Sequence, residues 1–239
     1  VSAKDGGSFA GNVAMAGTLG VTGNVGVGVT PSTLLHIKGA NPVYRIEDNN
    51  ETGSGNIVFR DSARETAKIS VASGASASMQ FQTLGTEAMR IDATGAVTMP
   101  LQPAFLAHPS STQSNIAVGS DITVLFATEI FDQNADFNTA NYTFTAPVTG
   151  RYQFNIVYYL ENIDTATGYY YIFFDTSNRN YFNIISPAFT ADTSYLSLTL
   201  SMLVDMDASD TALCKIRQSH GTSQTDISGN SFFSGYLVA

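Results

Sequence analysis

Apolar and polar residues alternate with a period of two through most of this chain, and no segment carries the apolar period of a helix. The run Gly150-Arg-Tyr-Gln-Phe-Asn-Ile-Val-Tyr-Tyr places Tyr152, Phe154, Ile156 and Tyr158 on one face. Gln153, Asn155, Val157 and Tyr159 fall on the other, which turns apolar toward its end. That pattern predicts a strand buried partly on both sides. Further strands are predicted at 104–107, 123–126, 140–144, 168–174, 181–185, 194–204, 211–217 and 231–238, with glycine thinning and aromatic residues dense from Pro103 onward. Such a set, nine or ten strands with no helix, predicts an all-β jelly-roll sandwich over 103–239.

Upstream the punctuation changes. Glycine recurs every six residues in Gly11-Asn-Val-Ala-Met-Ala, Gly17-Thr-Leu-Gly-Val-Thr and Gly23-Asn-Val-Gly-Val-Gly, with the third and fifth places aliphatic. Residues 1–33 are therefore expected to be a glycine-rich fibrous stem of short strands that turn repeatedly. Each hexad brings only two aliphatic side chains against the ordering entropy of six residues, so Val13, Leu19 and Val25 are expected at an interface where chains share one core. A phosphate-cradling role for the glycines is excluded by Thr30-Pro31, which stands where a nucleotide fold needs a helix to begin.

Residues 34–102 hold short alternating phrases: Leu35-His-Ile-Lys, Val43-Tyr-Arg-Ile-Glu, Gly55-Asn-Ile-Val-Phe, Ala67-Lys-Ile-Ser-Val, Met79-Gln-Phe-Gln, Met89-Arg-Ile-Asp and Gly95-Ala-Val-Thr-Met. Asn49-Asn50, Gly53-Ser54-Gly55, Ser73-Gly74 and Thr94-Gly95 supply turns between them. This segment is expected to form a β-rich neck.

The strand at Gly168-Tyr-Tyr-Tyr-Ile-Phe-Phe-Asp is aromatic on both faces. One face is needed for the core, and a monomer would expose the other. Tyr169, Tyr171 and Phe173 are accordingly assigned to a subunit interface, with a sugar-stacking platform as the alternative. Tryptophan, the favoured stacking ring, is absent.

Composition narrows the picture. The chain has 239 residues, 44% of them apolar and 13% charged, which suits one sizeable core plus an appendage. A net charge of −9 with only 11 Lys and Arg argues against nucleic-acid partners, and no apolar run reaches a membrane span. No signal-peptide core stands at the N-terminus, and a start on Val1 is expected of a piece of something longer. The single Cys214 sits among Ala212, Leu213 and Ile216 and reads as a small buried hydrophobe.

Candidate chemistry is sparse. Asp205, Asp207 and Asp210 put three carboxylates in six residues, a weak calcium candidate that otherwise reads as a solvated turn between two strands. His36, His108, His220 and Cys214 match no zinc spacing. Ser234 lacks the flanking glycines of a nucleophile elbow, and Glu129, Asp132 and Asp136 read as polar-loop decoration rather than a glycosidase pair. No catalytic residues and no cofactor are expected.

Two resemblances add to this reading. Gly17-Thr-Leu-Gly-Val-Thr-Gly-Asn-Val-Gly-Val-Gly and Met89-Arg-Ile-Asp-Ala-Thr-Gly-Ala-Val-Thr-Met resemble phrases in the stems and necks of bacteriophage tail fibres. Pro103-Ala-Phe-Leu-Ala, Phe131-Asp-Gln-Asn, Tyr142-Thr-Phe-Thr-Ala-Pro-Val-Thr-Gly-Arg-Tyr-Gln-Phe and Ser231-Phe-Phe-Ser-Gly-Tyr-Leu are similar to the head domains of the complement 1q and tumour necrosis factor families. Within the third phrase Phe144, Ala146, Pro147, Gly150, Tyr152 and Phe154 fall in that family's order. Animal relatives carry collagen repeats upstream, whereas this chain has the hexads.

The second resemblance implies a homotrimer, and in some relatives calcium near the top of the trimer. Together the two imply an extracellular fibre protein of a phage virion, joined to other tail proteins, whose trimeric head recognises a host-surface glycan or protein. The loops 161–168, 175–180 and 218–230 are expected to carry that recognition. Alternatives are a purely structural module that trimerises and caps a fibre, and a complement 1q-like secreted adhesin or lectin.

Overall fold

A computed structural model describes residues 21–27, 29–40, 42–44, 46, 53–72 and 77–239. Val13, Leu19, the first two hexads and the turns at Asn49-Asn50 and Ser73-Gly74 lie outside them. The described residues are strands and connections without a helix, so none is long and apolar enough to cross a membrane. The chain divides into two compact units, Val1–Asn49 and Asn50–Ala239.

In the first unit, β1 (Val25–Val27) pairs in parallel with β2 (Leu35–Ile37), Val25 standing opposite Leu35. Val25 is half-buried, while Val27 and Leu35 are exposed. The third hexad therefore forms one short strand. The strand expected at 43–47 does not form over the residues described there, since Val43, Tyr44 and Ile46 are exposed and have no ladder partner.

The second unit begins with a five-stranded antiparallel meander: β3 (Ser54–Arg60), β4 (Glu65–Ala72), β5 (Ser78–Thr83), β6 (Thr86–Ile91) and β7 (Val97–Thr98), in that spatial order. Asp92 closes the last turn by accepting from Thr94 N at 2.8 Å and Ala96 N at 3.0 Å.

Two six-stranded sheets follow. One runs β10 (Thr128–Asp132), β8 (Ala104–His108), β19 (Phe232–Leu237), β13 (Gly150–Ile163) and β16 (Thr193–Met206), with β18 (Asp226–Ile227) also on β13. The other runs β11 (Phe137–Asn138), β12 (Thr143–Thr145), β17 (Thr211–Ser219), β14 (Tyr169–Thr176) and β15 (Asn180–Ile185), with β9 (Ile122–Thr123) also on β17. Their inner faces enclose one core, and this sandwich is the jelly roll that the alternation predicts.

The core residues follow from the strand pattern. Tyr152, Phe154, Ile156 and Tyr158 are all buried, as are Tyr170, Ile172 and Phe174 of β14. Phe105 lies against Phe137, Phe144, Phe154 and Phe233, at centroid distances of 4.8 to 6.5 Å, so aromatic packing joins both sheets. Cys214 is buried in the same core, and burial pushes its thiol well above the ordinary range. A thiol so placed is inert packing.

The segment 129–136 differs from expectation. Glu129 and Asp132 belong to β10, paired with Ala107 and Phe105 of β8, and only the following turn is a polar loop. Asp132 closes that turn by accepting from Phe137 N at 2.8 Å. A bulge between Glu129 and Phe131 breaks the alternation that would have marked the strand.

Candidate recognition surface

The sandwich has two unlike ends. At one, the chain enters beside its own last strand: Leu237 N donates to Pro103 O at 3.1 Å, and Arg151 N to Ala239 O at 2.7 Å. Gly150 and Met206 pair at that end, and Ile163 and Thr193 at the other, the length of β13 away.

The three loops expected to carry binding are split between these ends. The hairpin between β14 and β15 lies at the entering end, where Ser177 Oγ and Asn178 Nδ2 donate to Asp210 at 2.7 and 2.5 Å. Loops 161–168 and 218–230 meet at the far end, although both include strand residues at their margins. Geometry thus leaves two of the three loops able to act together.

At the far end Asp164 is the organising residue. Its carboxylate accepts from Thr222 N at 2.5 Å, Ser223 N at 2.8 Å and Ala166 N at 2.8 Å. Those amides, Ser223 foremost, hold its carboxyl down at about 2. Gln218 is fully buried: its Nε2 donates to Ser223 O at 2.8 Å and Thr167 Oγ1 at 3.2 Å, and its Oε1 accepts from Thr225 N at 2.9 Å. Gly221 turns the chain at φ +106, and a β-carbon there would come within 3.0 Å of Asp164 Oδ2. Two surface loops are thereby locked to each other and to the sheet.

The 186–192 connection, to which the sequence assigned no role, joins them. Asp192 Oδ1 accepts from Thr165 N at 2.8 Å and from Thr165 Oγ1 at 3.0 Å. Between these loops lies a cleft of about 220 Å³ lined by Asn162, Ile163, Asp164, Asp192, Thr193, Ser194 and Ser223. Asp226 holds the lining residue Asn162, accepting from its Nδ2 at 2.9 Å and from Asn115 N at 2.6 Å. The lining is rich in hydroxyl, amide and carboxylate groups, which suits hydrogen bonding to a polar ligand. Its one sequence-level signal is Asp164-Thr-Ala-Thr-Gly168, a side-chain-capped turn.

The carboxylates Asp205, Asp207 and Asp210 sit at the entering end. Asp205 projects outward from β16 opposite Arg151, and Asp210 is occupied as a turn cap, accepting also from Asp207 N at 2.7 Å. Hydrogen bonds, that of Ser177 first, keep the Asp210 carboxyl below its usual range. Among the described residues no three His, Cys, Asp or Glu side chains gather as a metal site. Ser234 stands opposite Asn155 in the middle of the sheet, and His36, His108 and His220 lie on separate segments.

Tyr169, Tyr171 and Phe173 point away from the core, as the alternation requires, and are half-buried. Tyr171 stacks on Phe173 at 5.2 Å, Arg217 stands 5.8 Å over both rings, and Phe182 of β15 lies 5.9 Å from Tyr171. Arg217 is held in turn by Asp121 at 2.6 Å. The stripe is therefore partly covered by its own chain, and its most open members are Phe182 and Ile184, at 59% and 46% exposed, on the free edge strand β15.

Comparison with known proteins follows the same residues. Among curated proteins, none matches the chain. Solved structures similar to it include the globular domain of zebrafish complement 1qA protein (17% identity, 58% of this chain and 98% of that one, TM-score 0.44). Murine APRIL (13%, 57% and 99%, TM-score 0.42) and the tumour necrosis factor Eiger from S. frugiperda (10%, 58% and 92%, TM-score 0.41) are also similar. The family model of the C1q domain matches residues 104–238, more than half of the chain and the whole of the sandwich, so the chain belongs to the C1q domain family.

Proposed function

We propose that this chain is the receptor-binding tip of a fibre, most simply a bacteriophage tail fibre, whose C1q-like heads assemble as a homotrimer outside the cell and bind a host-surface glycan or protein. Its role is recognition, with no catalytic step. The observation that carries the reading is the locked loop cluster around Asp164 and Gln218, which holds a polar cleft at the end of the sandwich remote from the entering chain. Binding residues on loops held by a rigid sandwich are the usual arrangement for recognition. Three copies per tip would multiply a weak single contact.

The trimer is supported by family membership and by unfinished surface. The edges of β15 and β16 are unpaired among the described residues, and Phe182, Ile184, Tyr195 and Leu203 on those strands are exposed. Long open edges invite pairing unless covered. The contact proposed from the sequence at Tyr169, Tyr171 and Phe173 is thereby re-centred on β15, with the stripe as its inner border. Val13, Leu19 and Val25 remain the proposed shared core of the stem.

The test is adsorption. The purified chain should bind susceptible cells saturably and compete with the parent phage, and Asp192→Lys in the cleft should weaken that binding at least tenfold while leaving the assembly's mass unchanged. No binding to any susceptible strain would leave the chain a structural cap.

A further inference from the structure

The sheet β3–β7 is a single layer, and its register sorts its side chains into two unlike faces. Ile57, Ile69, Phe81 and Met89 stand opposite one another across four strands, and Val71, Met79, Ile91 and Val97 form the next row on the same side. The other side carries Asn56, Lys68, Gln80, Gln82 and Arg90, with Arg90 donating to Glu87 at 2.9 and 2.6 Å. A strand set with one apolar and one polar face is built to pack against a second layer.

Among the described residues of this unit no second layer covers it. Ile57, Phe59 and Val71 on the apolar side are 42%, 52% and 47% exposed. A contiguous apolar patch of this extent is rare on a free surface. Its charges all lie on the opposite side, so nothing on the face opposes a like surface. The segment after β7 is tied to the sandwich, since Gln133 Nε2 donates to Met99 O at 2.9 Å and to Gln102 O at 2.7 Å. Where heads assemble, their sheets therefore start side by side.

We infer that the apolar face of β3–β7 is an interface with the same face of further copies of this chain, so that these five strands form a shared hydrophobic core beneath the heads. The stoichiometry of three rests on the trimer proposed above, whereas the covering of the face does not. The occupant is a second copy, because the face is self-complementary and its copies are already brought together by the heads.

Ile57 and Val58 offer a matched test, being neighbours on β3, equally exposed at 42%, and on opposite faces. In the full chain, Ile57→Asp should speed amide exchange across β3–β6 at least tenfold, while Val58→Asp stays within about twofold of the native chain. Dilution of the native chain below its assembly concentration should reproduce the Ile57→Asp pattern. Equal responses to the two substitutions would overturn the inference, as would an asymmetry that persists in a chain shown by light scattering to be monomeric, since the cover would then come from the chain itself. A three-chain mass with equal responses refutes this face alone, and a two-chain mass with unequal responses refutes only the trimer.

Discussion

A β-carbon placed on Gly235 would lie 2.5 Å from Phe154 Cδ1 and 2.9 Å from Phe105 Cε1. The last strand thus comes within touching distance of the aromatic core only because position 235 has no side chain. Gly235→Ala should destabilise the sandwich by about 1–3 kcal/mol through overpacking, read as a lower denaturation midpoint at unchanged slope. Asp164 gives a pH-dependent counterpart. Its carboxyl titrates at about 2 in the fold against an ordinary 3.8, so it stabilises the loop cluster above the ordinary value, and that contribution is lost as pH falls toward about 2. Amides of Ala166, Thr222 and Ser223 should lose exchange protection across that window while those of β13 keep theirs, and Asp164→Asn should show the loosened loops at neutral pH. Unchanged protection of the three amides at pH 2 would refute this role.

At the scale of elements, edge position decides what a substitution does. Phe182 sits on the free edge of β15, and among the described aromatic rings it packs on Tyr171 and Phe173. Phe182→Asp should leave the monomer fold intact and raise the concentration at which the assembly dissociates, followed by light scattering on dilution; an unchanged dissociation concentration would remove β15 from the interface. The strands that could be read from the sequence are the long ones, β13, β14, β16 and β17, because alternation sustained over eight to fourteen residues is hard to produce by any other structure. The two-residue strands β11 and β18 are too short to carry such a signal, and β18 pairs with β13 across more than sixty residues of sequence. β10 was hidden by its bulge, which placed Glu129 and Asp132 in an apparent loop.

For the whole molecule the decisive quantity is mass. Three chains of 25.4 kDa would scatter as about 76 kDa at micromolar concentration, and a 25 kDa species would refute both the trimer and the shared core of the stem. The net charge of −9 should keep such an assembly soluble. Two features then act over the same length: the polar cleft faces away from the entering chain, and the apolar face of β3–β7 lies on the segment that leads into the sandwich. In the proposed fibre, one end of the unit assembles and the other recognises.

Local pattern alone determined the all-β class, the inward faces of the central strands and the burial of Cys214, because side-chain period and residue type are properties of short segments. Only the tertiary structure decided that loops 161–168 and 218–230 meet while 175–180 lies at the opposite end, that Asp192 closes the cleft, and that Asp210 caps a turn. Those facts depend on which strands pair and in what register, and pairing is set by contacts between residues tens of positions apart, for which a single sequence holds no local signal.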